Sequence, residues 1–161
     1  MPQQPNTFIK RISNPLQFKL FLLKKLPAGY FAGLKIETIT ADSCTVSVPY
    51  KWFNKNPFRS TYFASLAMAA ELSTGALAMA NVYGKNPPVS LLVIGLEASY
   101  FKKATSKTFF TCNDGQSFMN AVNTAIKTTE PQVVKAQTIG VNASGEEIAK
   151  FTITWSFKSK T

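Results

Sequence analysis

Residues 62–80 read Tyr-Phe-Ala-Ser-Leu-Ala-Met-Ala-Ala-Glu-Leu-Ser-Thr-Gly-Ala-Leu-Ala-Met-Ala, and this run restricts the fold more than any other stretch of the chain. Ala, Leu and Met are strong helix formers, so residues from about 60 to 81 are expected to form one long helix. Ser60 or Thr61 is placed to cap its start. At 1.5 Å per residue such a helix spans about 33 Å, enough to cross a bilayer. Glu71 stands at its centre, however, and alanine adds little drive toward lipid. A helix apolar on all sides can instead be the buried axis of a domain, and small side chains let a sheet close around it. That arrangement, without a membrane span, is the expected one. Burying a carboxylate is costly, so the purpose of Glu71 is the main question the sequence poses.

The flanking segments supply the sheet. Residues 34–40 and 43–48 alternate in strand fashion around an Ala41-Asp42 turn, which puts Cys44, Val46 and Val48 on one face. Residues 89–101 are apolar on both faces, as in an interior strand, and Gly95 marks a bend or a close backbone approach. Residues 107–112 read as a further strand. Asp114-Gly115 then leads into a helix at 116–127, with Phe118, Met119, Val122 and Ile126 at helical spacing. Two last strands, near 132–142 and 147–158, are joined by the turn at 143–146. The second of them places Ala149, Phe151, Ile153, Trp155 and Phe157 on one face. Short turns between strands predict one antiparallel sheet of about six strands.

At the N-terminus, residues 1–13 are polar, broken by Pro2 and Pro5, and expected to be loose. Asn14-Pro15 then reads as an N-cap with proline at the first helical position. Leu16, Leu20, Leu23 and Lys24 follow helical spacing, Lys24-Lys25 suit a helix C-terminus, and Pro27 and Gly29 end the element. Such a helix can touch a membrane surface, but its leucines are expected to pack on their own domain.

Composition removes several function classes. The 161 residues fit a single domain, 1–161, and contain no histidine. Ser-His-Asp and Cys-His machinery, His-containing zinc sites and imidazole acid–base catalysis are therefore absent. Cys44 and Cys112 occur in none of the metal or redox spacings, so no metal site is expected and both read as buried reduced thiols. No signal-peptide pattern opens the chain, which is read as cytoplasmic. The 18 basic against 8 acidic residues favour an anionic partner. The lysines are scattered, and Arg11 and Arg59 are the only arginines, so nucleic acid is not the expected one.

The element order resembles the hotdog fold, an α+β architecture in which a curved antiparallel sheet wraps a long central helix. Residues 54–71, Asn-Lys-Asn-Pro-Phe-Arg-Ser-Thr-Tyr-Phe-Ala-Ser-Leu-Ala-Met-Ala-Ala-Glu, carry the resemblance. They are similar to the acyl-CoA thioesterase pattern of an Asn-containing loop, a Gly-rich helix start, and an Asp or Glu about two and a half turns later. The strand finishing at Tyr100-Phe-Lys-Lys-Ala-Thr105 extends the match, which covers roughly residues 15–158. The His-Gly-Gly helix start of the better-known thioesterases is replaced here by Ser60-Thr-Tyr-Phe-Ala64. In this the chain resembles a poorly characterised branch of the superfamily.

The resemblance implies hydrolysis of an acyl-CoA or acyl-carrier-protein thioester, with no cofactor beyond the CoA of the substrate. Glu71 would act as base or nucleophile, and Asn56 would orient water or the thioester carbonyl. Backbone N–H groups at Thr61, Tyr62 and Phe63 would stabilise the oxyanion at a helix N-terminus. Arg59, Lys102 and Lys103 are candidates for the CoA phosphates. The family's habit of pairing sheets implies a homodimer or a dimer of dimers. Each role has a structural alternative. Glu71 can bond a neighbouring backbone or a lysine across an interface, Asn56-Pro57 can be a turn, and the cations can be ordinary surface charge. The whole chain can also be a non-catalytic module that binds acyl groups or lipids.

Overall fold

The computed structural model describes residues 7–160. Helices α1 (Thr7–Ser13), α2 (Pro15–Lys25) and α3 (Pro27–Ala32) precede strands β1 (Lys35–Ile39) and β2 (Cys44–Val48). A single 3-10 turn (Trp52–Asn54) leads into α4 (Phe63–Val82). Strands β3 (Val89–Tyr100) and β4 (Thr108–Cys112), helix α5 (Gly115–Thr128), and strands β5 (Gln132–Val141) and β6 (Glu147–Ser159) complete the order. The six strands form one antiparallel sheet in the order β1-β2-β4-β5-β6-β3. This is the wrapped-sheet hotdog arrangement.

The axis is α4. It alone among the described residues is long and apolar enough to cross a bilayer, and here it is enclosed by protein, with Ala69, Ala70, Ala76 and Ala78 wholly buried. Against it the sheet presents the alternating faces expected of Cys44, Val46 and Val48 and of Ala149, Phe151, Ile153, Trp155 and Phe157, all buried. Phe110 and Phe151 meet edge to face at 5.6 Å, which suits the aromatic quadrupoles. Cys44 and Cys112 are register partners on β2 and β4 and remain unpaired thiols, pushed up to about 12 by burial.

Four local expectations need correction. Residues 7–13 form α1, which docks through Phe8 and Ile12; residues 1–6 lie outside the described residues. Pro27 starts a second helix rather than only ending the first, and Gly33 closes it at φ +76°. Asn14 does cap α2, its side chain accepting from the Leu16 and Gln17 amides at 3.1 Å. The leucines of α2, however, face outward, with Leu16 68% exposed, and packing falls to Phe18 and Leu22 instead.

The fourth correction is the most consequential. Strand β3 is an edge strand, not an interior one. Only β6 pairs with it, and the register shifts between Val93 and Gly95, where the bend was expected. Leu92, Ile94, Leu96 and Tyr100 are all exposed, so both faces are apolar while one edge has no strand beside it. The opposite edge, β1, has only five residues and carries the Lys35–Glu37 ion pair at 3.1 Å, the usual protection of a sheet edge.

Candidate active site

Glu71 lies near the middle of α4, where it lines an open, mainly apolar pocket of about 390 Å³. Phe21, Lys25 and Leu26 form one wall, Gly75 and Met79 the floor along α4, and Leu91 and Trp155 the sheet side. No hydrogen bond or ion pair to the carboxylate is present among the described residues. Burial, with no compensating charge, pushes its pKa up from the ordinary carboxylate range. Within the single chain the carboxylate therefore makes no sealed, hydrogen-bonded contact.

Three residues that sequence reasoning did not assign to the site, Thr74, Gly75 and Trp155, shape this pocket. A side chain on Gly75, one turn beyond Glu71, would place its Cβ 3.0 Å from Glu71 Oε1 and 3.2 Å from the Trp155 ring. Glycine thus lets the carboxylate and the indole share one space. The Trp155 indole N–H donates to Thr74 Oγ1 at 2.9 Å, and the Thr74 hydroxyl donates to the Glu71 carbonyl at 2.9 Å. This chain ties β6 to the turn of α4 that carries the carboxylate. The only signal in the sequence was the Thr74-Gly75 interruption of an otherwise Ala-Leu-Met pattern.

The loop residues gather in a second cleft, of about 500 Å³, lined by Asn56, Thr61, Tyr62, Phe63, Tyr100, Lys102 and Lys103 among others. Glu71 does not reach it. Asn56 is engaged within its own loop: Oδ1 accepts from the Phe58 and Ser60 amides at 3.0 and 3.2 Å, and Nδ2 donates to Ser60 Oγ at 3.0 Å. The expected caps are occupied elsewhere, Ser60 with Asn56 and Thr61 through its hydroxyl with the Ala104 carbonyl at 3.1 Å. Helix α4 begins after Tyr62 with no side-chain cap at all.

That missing cap decides which amides are open. The Thr61 amide donates to the Ala104 carbonyl at 2.7 Å and the Tyr62 amide to the Asn54 carbonyl at 2.7 Å. The Ser65 and Leu66 amides turn back to the Tyr62 carbonyl. Phe63 and Ala64 alone in this first turn have amides without an acceptor among the described residues. Of the three residues expected to supply oxyanion donors, only Phe63 keeps a free N–H, and Ala64 joins it. Both sit at the positive end of a 20-residue helix. Tyr100 borders the same cleft, its phenol pushed up by partial burial.

The three cations differ in availability. Lys102 is paired with Glu146 at 2.5 Å, whereas Lys103 Nζ only donates to the Phe58 carbonyl at 3.3 Å. Arg59 is exposed on the loop at φ +61°, with no ion-pair partner among the described residues.

A family model described as a domain of unknown function, DUF4442, matches residues 16–157. The chain belongs to the DUF4442 family. No curated protein matches it. Solved structures show the same fold at low identity. A Pseudomonas aeruginosa protein of unknown function, described as a probable thioesterase, aligns with TM-score 0.76 and 17% identity over 91% of this chain and 97% of its own. A mutant thioesterase from the same organism aligns with TM-score 0.67 and 14% identity over 99% and 98%. A Haemophilus influenzae thioesterase aligns with TM-score 0.63 and 15% identity over 87% and 88%. This DUF4442 chain therefore has the hotdog fold, with its loop and central helix inside the matched region.

Proposed function

We propose that this DUF4442 protein hydrolyses acyl thioesters carried on CoA or an acyl-carrier protein, with no other cofactor. The observation that carries the reading is Glu71, a desolvated and unpartnered carboxylate at an open apolar pocket. The thioesterase names of its fold relatives favour the same chemistry.

Within one chain the parts are too far apart. Phe63 and Glu71 are eight residues apart on one helix, about 12 Å along its axis. A base and an oxyanion donor must both lie about 3 Å from the reacting group. The unprotected edge of β3 supplies the remedy. If β3 pairs antiparallel with β3 of a second copy about its midpoint, near Ile94 and Gly95, its Tyr100 end falls beside the partner's Val89–Leu91 end. The uncapped start of one α4 then approaches the Glu71 pocket of the other chain, which Leu91 borders. A homodimer, or a dimer of such dimers, completes two such sites.

The chemistry follows. Glu71 takes a proton from water as the water oxygen attacks the thioester carbon. The Phe63 and Ala64 amides of the partner receive the developing oxyanion, whose collapse breaks the C–S bond. The thiolate leaves and recovers the proton. Direct attack by the carboxylate, through a mixed anhydride, is the variant in which Glu71 is the nucleophile. Lys103 at the cleft and Arg59 on the loop that borders it offer charges for CoA phosphates, and Lys102 would first have to leave Glu146. Asn56 holds the loop in shape and contributes to chemistry only if a ligand displaces its Ser60 contacts. The two buried, unpaired thiols suit a reducing cytoplasm.

Free-thiol release over a panel of aliphatic and aryl acyl-CoAs tests the assignment, and turnover on at least one is expected. The missing His-Gly-Gly start favours one rival, a non-catalytic acyl-binding module. Calorimetric binding without turnover would select it. A finer test is Gly75→Ala. Alanine is the better helix former by about 1 kcal/mol, which offsets the cost of the few tenths of an ångström that the Trp155 ring must yield. The added methyl displaces the carboxylate, and turnover is expected to fall about tenfold with the circular-dichroism spectrum unchanged.

A further inference from the structure

Helix α2 is apolar on two opposite sides. Phe18 and Leu22 face the core, whereas Leu16, Leu20 and Leu23 are 68%, 48% and 46% exposed. At 100° per residue these three leucines lie within about 60° of one another, on the side away from Phe18 and Leu22. Lys19 stands about 60° to one side of this ridge and Lys24 about 80° to the other. Exposed Lys10 and Arg11 of α1 add to the same end of the molecule, and Arg11, Leu20, Lys24 and Lys25 share a groove of about 350 Å³.

The charge around the ridge has one sign. Residues 1–36 contain six cations, Lys10, Arg11, Lys19, Lys24, Lys25 and Lys35, and no Asp or Glu. Lys35 is paired with Glu37, and the other five form no ion pair among the described residues. Residues 43–70 and 98–113 are also free of Asp and Glu but hold three cations each, and Lys102 and Lys107 of the second stretch are ion-paired.

We infer that α2 docks this protein peripherally on an anionic lipid bilayer. The leucine ridge would enter the headgroup boundary, and the flanking lysines would extend to lipid phosphates and carboxylates. An in-plane helix with an apolar stripe between basic flanks binds by buried area together with attraction to anionic lipid. Exposed leucines set directly beside unpaired lysines match a surface that is apolar and anionic at once, as the headgroup boundary of such a bilayer is. The opposite side of α2 supplies Phe21 and Lys25, and the following Leu26, to the wall of the Glu71 pocket. Docking would hold that pocket one helix thickness from the lipid, where long acyl groups partition. The binding surface itself does not rest on the hydrolysis reading, and its test measures binding rather than turnover.

The experiment is co-sedimentation of the full chain with vesicles of phosphatidylcholine alone and of phosphatidylcholine with phosphatidylglycerol. Binding to the anionic vesicles is expected to exceed binding to the neutral ones by about tenfold and to weaken as salt rises. Leu16→Ser/Leu23→Ser and Lys19→Glu/Lys24→Glu are each expected to abolish the difference. These side chains are exposed, so melting temperature and turnover of a short-chain acyl-CoA should hold. Equal or absent binding to both vesicle types in the wild type would overturn the inference. So would variants that still bind anionic vesicles. A fall in oligomer mass in the leucine variant, with vesicle binding intact, would assign the ridge to a second copy. Loss of acyl-carrier-protein binding alone would assign it to a protein.

Discussion

Glu71→Gln is expected to lower thioester turnover by about 10²- to 10⁴-fold, the range spanned by removing a positioned acid–base group, while leaving the protein at least as stable as the wild type. The two effects share one cause. Glu71 is desolvated without a partner, so its proton affinity in the folded state is raised above that in the unfolded chain. A carboxyl with a raised folded pKa opposes folding once it ionises. The penalty is absent below the unfolded value, grows as pH rises between the two values, and is complete above the folded one. Glutamine keeps the shape and never ionises. The variant should therefore melt higher than the wild type at pH 8 and match it in acid below the ordinary carboxylate range. Turnover by the wild type should rise with pH through the folded pKa of Glu71, since only the ionised form accepts a proton. Melting curves at two pH values and a pH–rate profile check both halves. A variant that retains turnover removes Glu71 from the mechanism. One that melts lower at pH 8 shows that the carboxylate has a stabilising partner after all.

Leu92→Glu/Ile94→Glu is expected to turn the proposed β3-paired dimer into a folded but inactive monomer. Both side chains are exposed in the single chain, 65% and 54%, so neither substitution opens a cavity. Paired about its midpoint, β3 would set Leu92 close to the partner's Glu97, and the variant would bring like charges together across the new ladder. Light scattering should report a halved mass with the far-ultraviolet spectrum preserved. Turnover should fall about 10²-fold or more, because separation takes the oxyanion amides away from the carboxylate that needs them. A variant that stays dimeric and fully active would place the interface elsewhere and would require both catalytic parts in one chain.

Much of this fold was legible from local pattern. Composition identified residues 60–81 as the axis helix, and alternation placed Cys44, Val46 and Val48, and the inward series from Ala149 to Phe157, on their buried faces. Those periodicities follow from backbone geometry within a segment, so no distant residue is needed to read them. The candidate site was legible in part. Glu71 declared itself as a charge in an apolar run. Which amides stay open did not, because that depends on Ala104 and Asn54, whose carbonyls take the Thr61 and Tyr62 donors.

Two of the misreadings have one origin. An apolar segment looks the same whether its neighbour is another strand of its own sheet, a second copy, or a lipid surface. Residues 89–101 therefore read as interior and prove to be an edge; the leucines of α2 read as core and prove to face outward. Sequence alone determined the six strands, the axis helix, α2 and α5, the lack of imidazole chemistry and the prominence of Glu71, all of which depend on residue type and short-range spacing. Tertiary structure alone decided that β3 ends the sheet, that α4 starts uncapped, and that Glu71 opens onto a pocket walled by α2. Those facts depend on which distant backbone groups satisfy one another, and strand pairing and hydrogen-bond accounting are settled only when the chain has closed on itself.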